Sequence, residues 1–348
     1  VVSVPSRRPN TTRSFFTPRR QLATAERRTA RYVVDYIDYS GTNTSLTLYS
    51  GNTYWVSSDL VIQGGRLTVQ PGVVVKFGTN ASIKLVGGAS IDTRCHVLSN
   101  AVFTSVYDTN EGETISGFVG NPATNKYKAG LTIESGTNAV VGLSIRYAKK
   151  GVQFASTGAQ SIKDSRFLSC DRAVEITAGI STATVFNCLI QDTPEGVWGS
   201  TNNGIIQATT FRNMTNWGIR ADGIAALTVK DCLFASITNI FSSNTSVAAT
   251  FNHNAKYLCG VGWAGSDATN LAGSPFETGL QGSNYLSQSC ALINAGSTNA
   301  DKAGLFHYTT STNNTLKETN SFVDIGCHYG AFSDTDGDGL PDCQEDVN

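Results

Sequence analysis

Between residues 129 and 239 the hydrophobic positions recur every 22 or 23 residues. From residue 151 on, each repeat begins with a small residue followed by an aliphatic residue, and a second apolar pair lies near its middle. Short runs such as Val152-Gln153-Phe154 alternate apolar and polar side chains at the two-residue period of a β-strand. Windows of ten residues with helical spacing are absent from the repeats, which argues against a helical solenoid. The repeats cover residues 129–150, 151–172, 173–195, 196–217 and 218–239.

A repeat of this length is typical of one solenoid turn that contains three short strands. Strands of successive turns pair in parallel about 4.8 Å apart, and their inward side chains stack into one core. We therefore predict an all-β chain that forms a right-handed, single-stranded parallel β-helix over residues 41–332. After residue 240 the period weakens, and the pattern does not place the turns between 240 and 330. One position before the central apolar pair is small or polar in successive repeats, at Asp164, Asn187, Ala208 and Asp231.

The composition favours a β-rich protein made for export. Charged residues are only 15% of the 348 residues, and glycine occurs 34 times, which suits short strands and turns. Apolar runs do not approach 18 residues, so no transmembrane segment is expected. The chain begins at Val1 rather than at Met, which favours a processed, exported form. We expect an extracellular or cell-surface location.

The eight cysteines agree with that location. Neighbouring cysteines are at least 16 residues apart, so the chain has no C-x-x-C zinc or redox pair. An even number of widely spaced cysteines is typical of disulfides formed outside the cytoplasm. Free thiols buried in a β core are the alternative, and the sequence does not give the pairing.

Four segments follow the patterns L-T-I-x-P-G, F-T-S-x-x-D and I-R-Y-A-x-x-G-I: RLTVQPGVVVKFG (66–78), VFTSVYD (102–108), GLSIRYAKKGVQF (142–154) and SIKDSRF (161–167). In these segments the chain resembles secreted bacterial β-helix surface proteins. The resemblance covers roughly residues 46–332 and implies the fold, whereas functions in such families vary. CALINAG (290–296) and VDIGCHYGAF (323–332) are similar to the segments that close these helices. Cys290 and Cys327 stand where Pro and Ala are usual, so the resemblance implies a disulfide between them.

Residues 333–348 are predicted to form a calcium-binding terminal loop. The sequence DTDGDGLPDCQE (334–345) matches the spacing D-x-[DN]-x-[DN]-G-x5-E. A hard cation such as Ca²⁺ takes six to eight oxygen ligands, which this spacing supplies, while Gly339 allows the sharp turn. The loop resembles the isolated calcium repeats of thrombospondin type 3 and dockerin-like modules, which implies a structural role rather than a catalytic one. The alternative to a calcium site is a solvated acidic tail. The predicted Ca²⁺ ligands are the carboxylates of Asp334, Asp336, Asp338, Asp342 and Glu345 and the backbone carbonyl of Leu340.

Residues 1–40 are predicted to form an extended, Arg-rich arm. Residues 1–34 carry eight arginines and one acid, a net charge of +7, and the rest of the chain carries −8. A flexible tail and binding to nucleic acid or an anionic glycan are the alternatives, because guanidinium groups suit phosphate and carboxylate equally. We favour assembly of a head-to-tail homo-polymer, in which the arm engages the acidic body of a neighbouring copy, and do not expect nucleic acid as the partner. The assembly residues are Arg7, Arg8, Arg13, Phe15, Phe16, Arg19, Arg20, Arg27, Arg28 and Arg31.

The sequence contains no recognisable catalytic motif, and we predict no catalytic residue. Tyr147, Trp198 and Trp217 form an aromatic strip that would stack on sugar rings or pack at corners of the solenoid. One charged set falls at turn positions, where polar residues are expected in any solenoid: Asp171, Arg172, Asp192, Glu195 and Arg212.

We therefore predict a non-enzymatic extracellular structural protein, a self-assembling filament or surface-structure subunit joined head to tail through its N-terminal arm. The alternative is a polysaccharide lyase, a glycoside hydrolase or a glycan-binding module on the same scaffold, with a glycan as its partner. A groove lined by clustered Asp, Arg and Lys side chains would favour the alternative.

Overall fold

The computed structural model of the protein describes residues 35–96, 98–260, 262 and 268–345. As predicted, it is an all-β parallel solenoid, with about ten turns of about 22 residues each. Two single-turn helices, α1 (Ala300–Ala303) and α2 (Asp342–Glu345), lie near the C-terminus. Within these described ranges no helix is long and apolar enough to cross a membrane. The arm residues 1–34 fall outside them.

The strands are short and follow one another closely along the chain. The first turns contain β1 (Ile37–Asn43), β2 (Leu46–Leu48), β3 (Thr53–Gln63), β4 (Arg66–Val69), β5 (Val74–Phe77), β6 (Ile83–Val86), β7 (Ser90–Thr93), β8 (Ala101–Ser105) and β9 (Tyr127–Ile133). The central turns contain β10 (Asn138–Val141), β11 (Leu143–Arg146), β12 (Ala148–Phe154), β13 (Gln160–Lys163), β14 (Arg166–Leu168), β15 (Arg172–Phe186), β16 (Leu189–Gln191), β17 (Glu195–Gln207) and β18 (Thr210–Arg220). The remaining strands are β19 (Ala226–Lys230), β20 (Leu233–Ser242), β21 (Ala248–Asn252), β22 (Asn254–Tyr257), β23 (Ala268–Asn270), β24 (Phe276–Gly279), β25 (Gly282–Leu286), β26 (Tyr308–Thr309) and β27 (Tyr329–Gly330).

Each strand of the solenoid pairs in parallel with the equivalent strand of the next turn. On one face Val152, Val174, Val197 and Ile219 occupy a single ladder position in β12, β15, β17 and β18. These are the aliphatic residues that follow the small residue at the start of each repeat. The sequence period therefore corresponds to one turn of the solenoid.

The core of the solenoid is built from ladders of inward side chains. On a second face, Ile145, Phe167, Ile190, Phe211 and Phe234 occupy one ladder position in five successive turns, and all five are buried. The rings of the last two are stacked with their centroids 4.9 Å apart. Burial of each such side chain contributes about 1.5–3 kcal/mol, so the stacked ladder is a main source of stability.

The small residue at the start of each repeat is required by close packing between turns. A Cβ added to Gly151 would lie 2.5 Å from the carbonyl oxygen of Ala173 and 2.6 Å from the ring of Phe167. The next turn supplies the backbone that crowds this position, so the requirement for a small side chain recurs once per turn.

The polar position noted before the central apolar pair forms a corner of the solenoid. Asp164, Asn187, Ala208 and Asp231 all have left-handed backbone angles, with φ between 49° and 57°. Asn and Asp adopt this conformation more readily than most residues, which explains their recurrence at a single-residue corner. A second corner, one strand further on, uses the same conformation at Tyr147, Ser169, Asp192, Asn213 and Ser236.

The parallel stack ends at β23, and the chain after it forms a different substructure. Residues 276–332, here called the C-terminal cover, contain the antiparallel pairs β24–β25 and β26–β27. The cover packs on the outside of the solenoid, where Arg166 Nη1 donates to the carbonyl of Gln281 at 2.9 Å and Arg212 Nη1 to that of Ser283 at 2.8 Å. The β-helix predicted to extend to residue 332 therefore gives way to this cover, whose antiparallel strands do not continue the solenoid repeat.

Candidate functional site

The acidic loop after the cover brings three predicted calcium ligands together. Oxygen atoms of Asp334, Asp336 and Asp338 lie within 4.8 Å of one another, and all three residues are exposed. The loop is preorganised by its own backbone, since the Asp334 carboxylate accepts hydrogen bonds from Gly337 N at 2.7 Å and Gly339 N at 3.0 Å. Gly339 has φ 95°, which a side chain would disfavour. Three converging carboxylates fit a hard divalent cation.

Asp342, the fourth predicted carboxylate ligand, has other partners. Its carboxylate accepts from Lys317 Nζ at 2.8 Å and from Thr335 N at 2.7 Å, and it is buried. The hydrogen bond from Lys317 holds the pKa of Asp342 well below its usual range. Asp342 therefore fastens the acidic loop to the C-terminal cover.

The remaining two predicted ligands lie at the open side of the loop. Leu340 is exposed, and its backbone N–H donates to Asp338 Oδ1 at 2.8 Å. Desolvation and the neighbouring charges of Asp336 and Asp338 raise the pKa of Glu345, which is exposed. Glu345 therefore lies within electrostatic range of the three converging carboxylates, where a bound cation would relieve the repulsion.

The two cysteines proposed to form a disulfide lie in segments that pair with each other. Ile325 N donates to the carbonyl of Leu292 at 3.1 Å, and Gly296 N donates to that of Val323 at 2.7 Å. All eight cysteines, however, have free thiols, so the Cys290–Cys327 disulfide is not formed in this structure. Cys327 is buried, which raises the pKa of its thiol to about 12, and buried thiols were the alternative drawn from the sequence.

A charged groove lies on the outer surface of the solenoid. Its cavity of about 400 Å³ is lined by Lys150, Arg172 and Glu195 among others. Arg172 bonds to both Glu175 and Glu195, and Lys150 Nζ donates to Glu175 at 2.6 Å. The Trp198 ring centroid lies 4.4 Å from the Arg172 guanidinium carbon. The groove therefore presents paired charges, whereas the Trp198 ring is stacked against Arg172 and does not line the cavity.

The other charged residues singled out from the sequence are engaged by partners that do not line this groove. Asp192 accepts from Asn213 Nδ2 at 2.9 Å at the second corner, and Arg212 is held by the C-terminal cover. Asp171 also lines the groove, but it pairs with Lys126 at 2.7 Å. Asp171 and Asp192 lie in bends, as expected, whereas Arg212 lies within β18.

A buried polar cluster in the C-terminal cover had no signal in the sequence pattern. His328 Nε2 and Glu318 Oε1 are 2.9 Å apart, and Asp324 N donates to the same oxygen at 3.3 Å. Burial lowers the pKa of His328, but the hydrogen bond and the charge of Glu318 outweigh it, so the net shift is upward. Burial, with the charge of Glu318, raises the pKa of Asp324. The cluster lies in the segment without a regular repeat, so spacing could not reveal it.

The two ends of the solenoid expose strand edges and apolar side chains. In the described part of the chain, β1 pairs with β3 only and β21 with β19 only. The first turn leaves Ile37 and Tyr39 half-buried against the core, and the last turns leave Phe241 and Val247 in the same state. Both ends therefore have the features of an unfinished solenoid.

Comparison with known protein families finds no family model that matches the chain. A search of curated proteins also finds no significant match.

Proposed function

We propose that the protein is a non-enzymatic extracellular structural protein whose copies stack head to tail into a filament. The observation that carries this proposal is the pair of solenoid ends, each with an open strand edge and half-buried apolar residues. An open edge offers unpaired backbone groups to another strand, and apolar ends gain free energy when they are covered. Stacking β2 of one copy on β21 of the next, the two outermost strands of one column of the solenoid, would continue the parallel ladder.

The two ends of one chain are different surfaces, which decides the form of the assembly. A contact between unlike surfaces does not close on itself and therefore propagates as a filament. The Arg-rich arm, with its net charge of +7, directly precedes the first turn in the sequence and would add an ionic contact with the acidic body of the neighbour. We propose that the arm strengthens a contact whose core is the stacked ends.

Matched lysine substitutions at one end test this proposal. Ala248 and Ala249 are both exposed in β21 but point to opposite sides of the strand, and Ala249 is the register partner of the buried Leu227. Ala249→Lys places a charge in the end surface and is expected to weaken association at least tenfold by sedimentation velocity. Ala248→Lys is the control and is expected to leave association within twofold of the wild type. A wild-type protein that stays monomeric in calcium would contradict the proposal.

We also propose that the acidic loop binds Ca²⁺ and stiffens the C-terminal end of the protein. Asp336→Asn removes one of three converging charges and is expected to weaken Ca²⁺ binding at least tenfold, as measured by isothermal titration calorimetry. Removing Ca²⁺ with a chelator is expected to lower the melting temperature of the wild type and to have little effect on the variant. Asp301→Asn, at an exposed acid outside the loop, is the control. Equal affinities of the wild type and Asp336→Asn would contradict a calcium site here.

The second candidate function is glycan binding in the groove lined by Lys150, Arg172 and Glu195. The paired acidic and basic groups favour it, as does the cavity of about 400 Å³. It ranks second because Glu175 and Glu195 are both bonded to Arg172, which leaves neither as an unengaged acid or base. A monomeric wild type in the sedimentation experiment would make this groove the better candidate.

A further inference from the structure

The C-terminal cover contains an acidic cavity of about 220 Å³. Glu318 and Asp324 line it together with Thr310, and Leu316 and Thr319 lie at its exposed side. Among the described residues that line or contact the cavity, His328 is paired with Glu318 and Lys317 with Asp342, so Asp324 keeps the cavity acidic and favours a cationic group.

One carboxylate oxygen in this cavity lacks a donor. Glu318 is only 7% exposed, and its Oε1 accepts from His328 and from Asp324 N. Among the described residues, no group donates a hydrogen bond to Glu318 Oε2. This oxygen is open to the cavity rather than sealed in the protein, so a ligand that supplies an N–H group would find a charged acceptor there.

The other groups around the cavity are already engaged and set its chemistry. Asp324 accepts from Asn294 N at 2.7 Å and from the Thr310 hydroxyl, so its oxygens can each accept one more donor. Lys317, which also lines the cavity, donates to Asp342 at 2.8 Å. Leu316 is a 53% exposed apolar side chain at the rim. The cavity thus pairs an acidic interior with an apolar rim, which suits a guanidinium group on an aliphatic stem.

We infer that this cavity binds an arginine side chain from the N-terminal arm of a second copy of the chain. The inference rests on the proposed head-to-tail assembly and gives the arm its receptor. Residues 1–34 supply eight arginines, whereas the body carries a net charge of −8. Leu292 and Ile325, next to the cavity-lining segments, belong to one buried cluster with Leu233 and Ala255 of the last turns. The cavity therefore lies beside the later turns of the solenoid, within reach of an extended 34-residue arm from a copy stacked on the last turn.

Binding of a synthetic peptide of residues 1–34 to the full-length protein tests the inference. A fluorescent peptide and fluorescence anisotropy would be used, with the protein diluted below its assembly concentration. Glu318→Gln keeps an acceptor for His328 but removes the charge, and Thr319→Lys adds a cation at the exposed rim without altering a buried group. Both variants are expected to weaken peptide binding at least tenfold. Thr315→Lys, exposed on the same loop, is the matched control and is expected to change it less than twofold.

A second peptide, in which all eight arginines are replaced by lysine, tests whether binding depends on the bidentate hydrogen-bonding geometry of the guanidinium group or only on positive charge. It is expected to bind at least fivefold more weakly than the arginine peptide. If the wild type fails to bind the arginine peptide, or if Thr319→Lys and Thr315→Lys bind it equally, the cavity is not the arm's receptor. Selective binding by a wild type that never assembles would support the cavity while refuting the filament, so the two proposals can fail separately.

Discussion

Replacing Phe211 by alanine is expected to lower the free energy of unfolding by about 3–5 kcal/mol. Phe211 is fully buried in the middle of the ladder from Ile145 to Phe234, and it stacks on Phe234 with ring centroids 4.9 Å apart. Its removal leaves a cavity between two turns whose backbones are fixed by the parallel strands on both sides. The surrounding chain therefore cannot collapse into the space, which places the cost at the upper part of the usual range.

Chemical denaturation followed by far-UV circular dichroism would measure this effect. Phe322→Ala is the matched control, because Phe322 is 51% exposed and its loss removes little buried area. The control is expected to cost less than about 1 kcal/mol. A similar loss for both variants would mean that the ladder is not the stabilising element described above.

Replacing Asn187 by alanine is expected to cost about 3–4 kcal/mol, because one amide joins two distant parts of the chain. Asn187 Nδ2 donates to Asp164 Oδ1 at 2.7 Å and to the carbonyl of His328 at 3.1 Å. Its Oδ1 accepts from His328 N at 2.6 Å. Alanine would leave these buried groups without their partners, and the carboxylate of Asp164 would lose a donor while fully buried.

Asn213→Ala provides a control for the corner conformation itself. Asn187 and Asn213 both have left-handed backbone angles, with φ of 49° and 56°, but Asn213 is exposed and its side chain bonds only to Asp192. Ala208 shows that alanine can occupy the first corner. The Asn213 variant is expected to cost about 1 kcal/mol, so the excess at Asn187 measures the contact with the C-terminal cover. Equal costs at the two sites would show that the cover contributes nothing through this residue. Hydrogen exchange would locate the loss, with faster exchange expected in residues 323–330 of the Asn187 variant alone.

The regular part of the fold could be predicted because every constraint there recurs. Gly151 must be small since the next turn's backbone lies against it, and the same condition returns one turn later. Asp164 and Asn187 recur because the corner needs a residue that tolerates positive φ. The three converging aspartates could also be predicted, since they lie within five residues and the spacing alone brings them together.

The rest of the candidate sites depended on contacts without a period. Asp342 has the spacing of a calcium ligand, yet Lys317, 25 residues earlier in the chain, holds its carboxylate. Arg212 and Asp171 look alike as charged turn residues, but Arg212 is held by the cover and Asp171 by Lys126. Sequence spacing tells which groups could meet, and it does not tell which competing partner is nearer in the folded chain.

By itself, the sequence determined the β-solenoid, its period of about 22 residues, the recurring small or polar position and the acidic loop, because strands in such a fold pair with the next turn and obey local rules. Only the tertiary structure decided that the chain after β23 packs along the solenoid as a cover, that Asn187 bonds to His328, and that Glu318 and Asp324 share a cavity. Those contacts join residues far apart in the chain through single hydrogen bonds and close packing. Such contacts repeat nowhere, so they leave no pattern in the order of the amino acids.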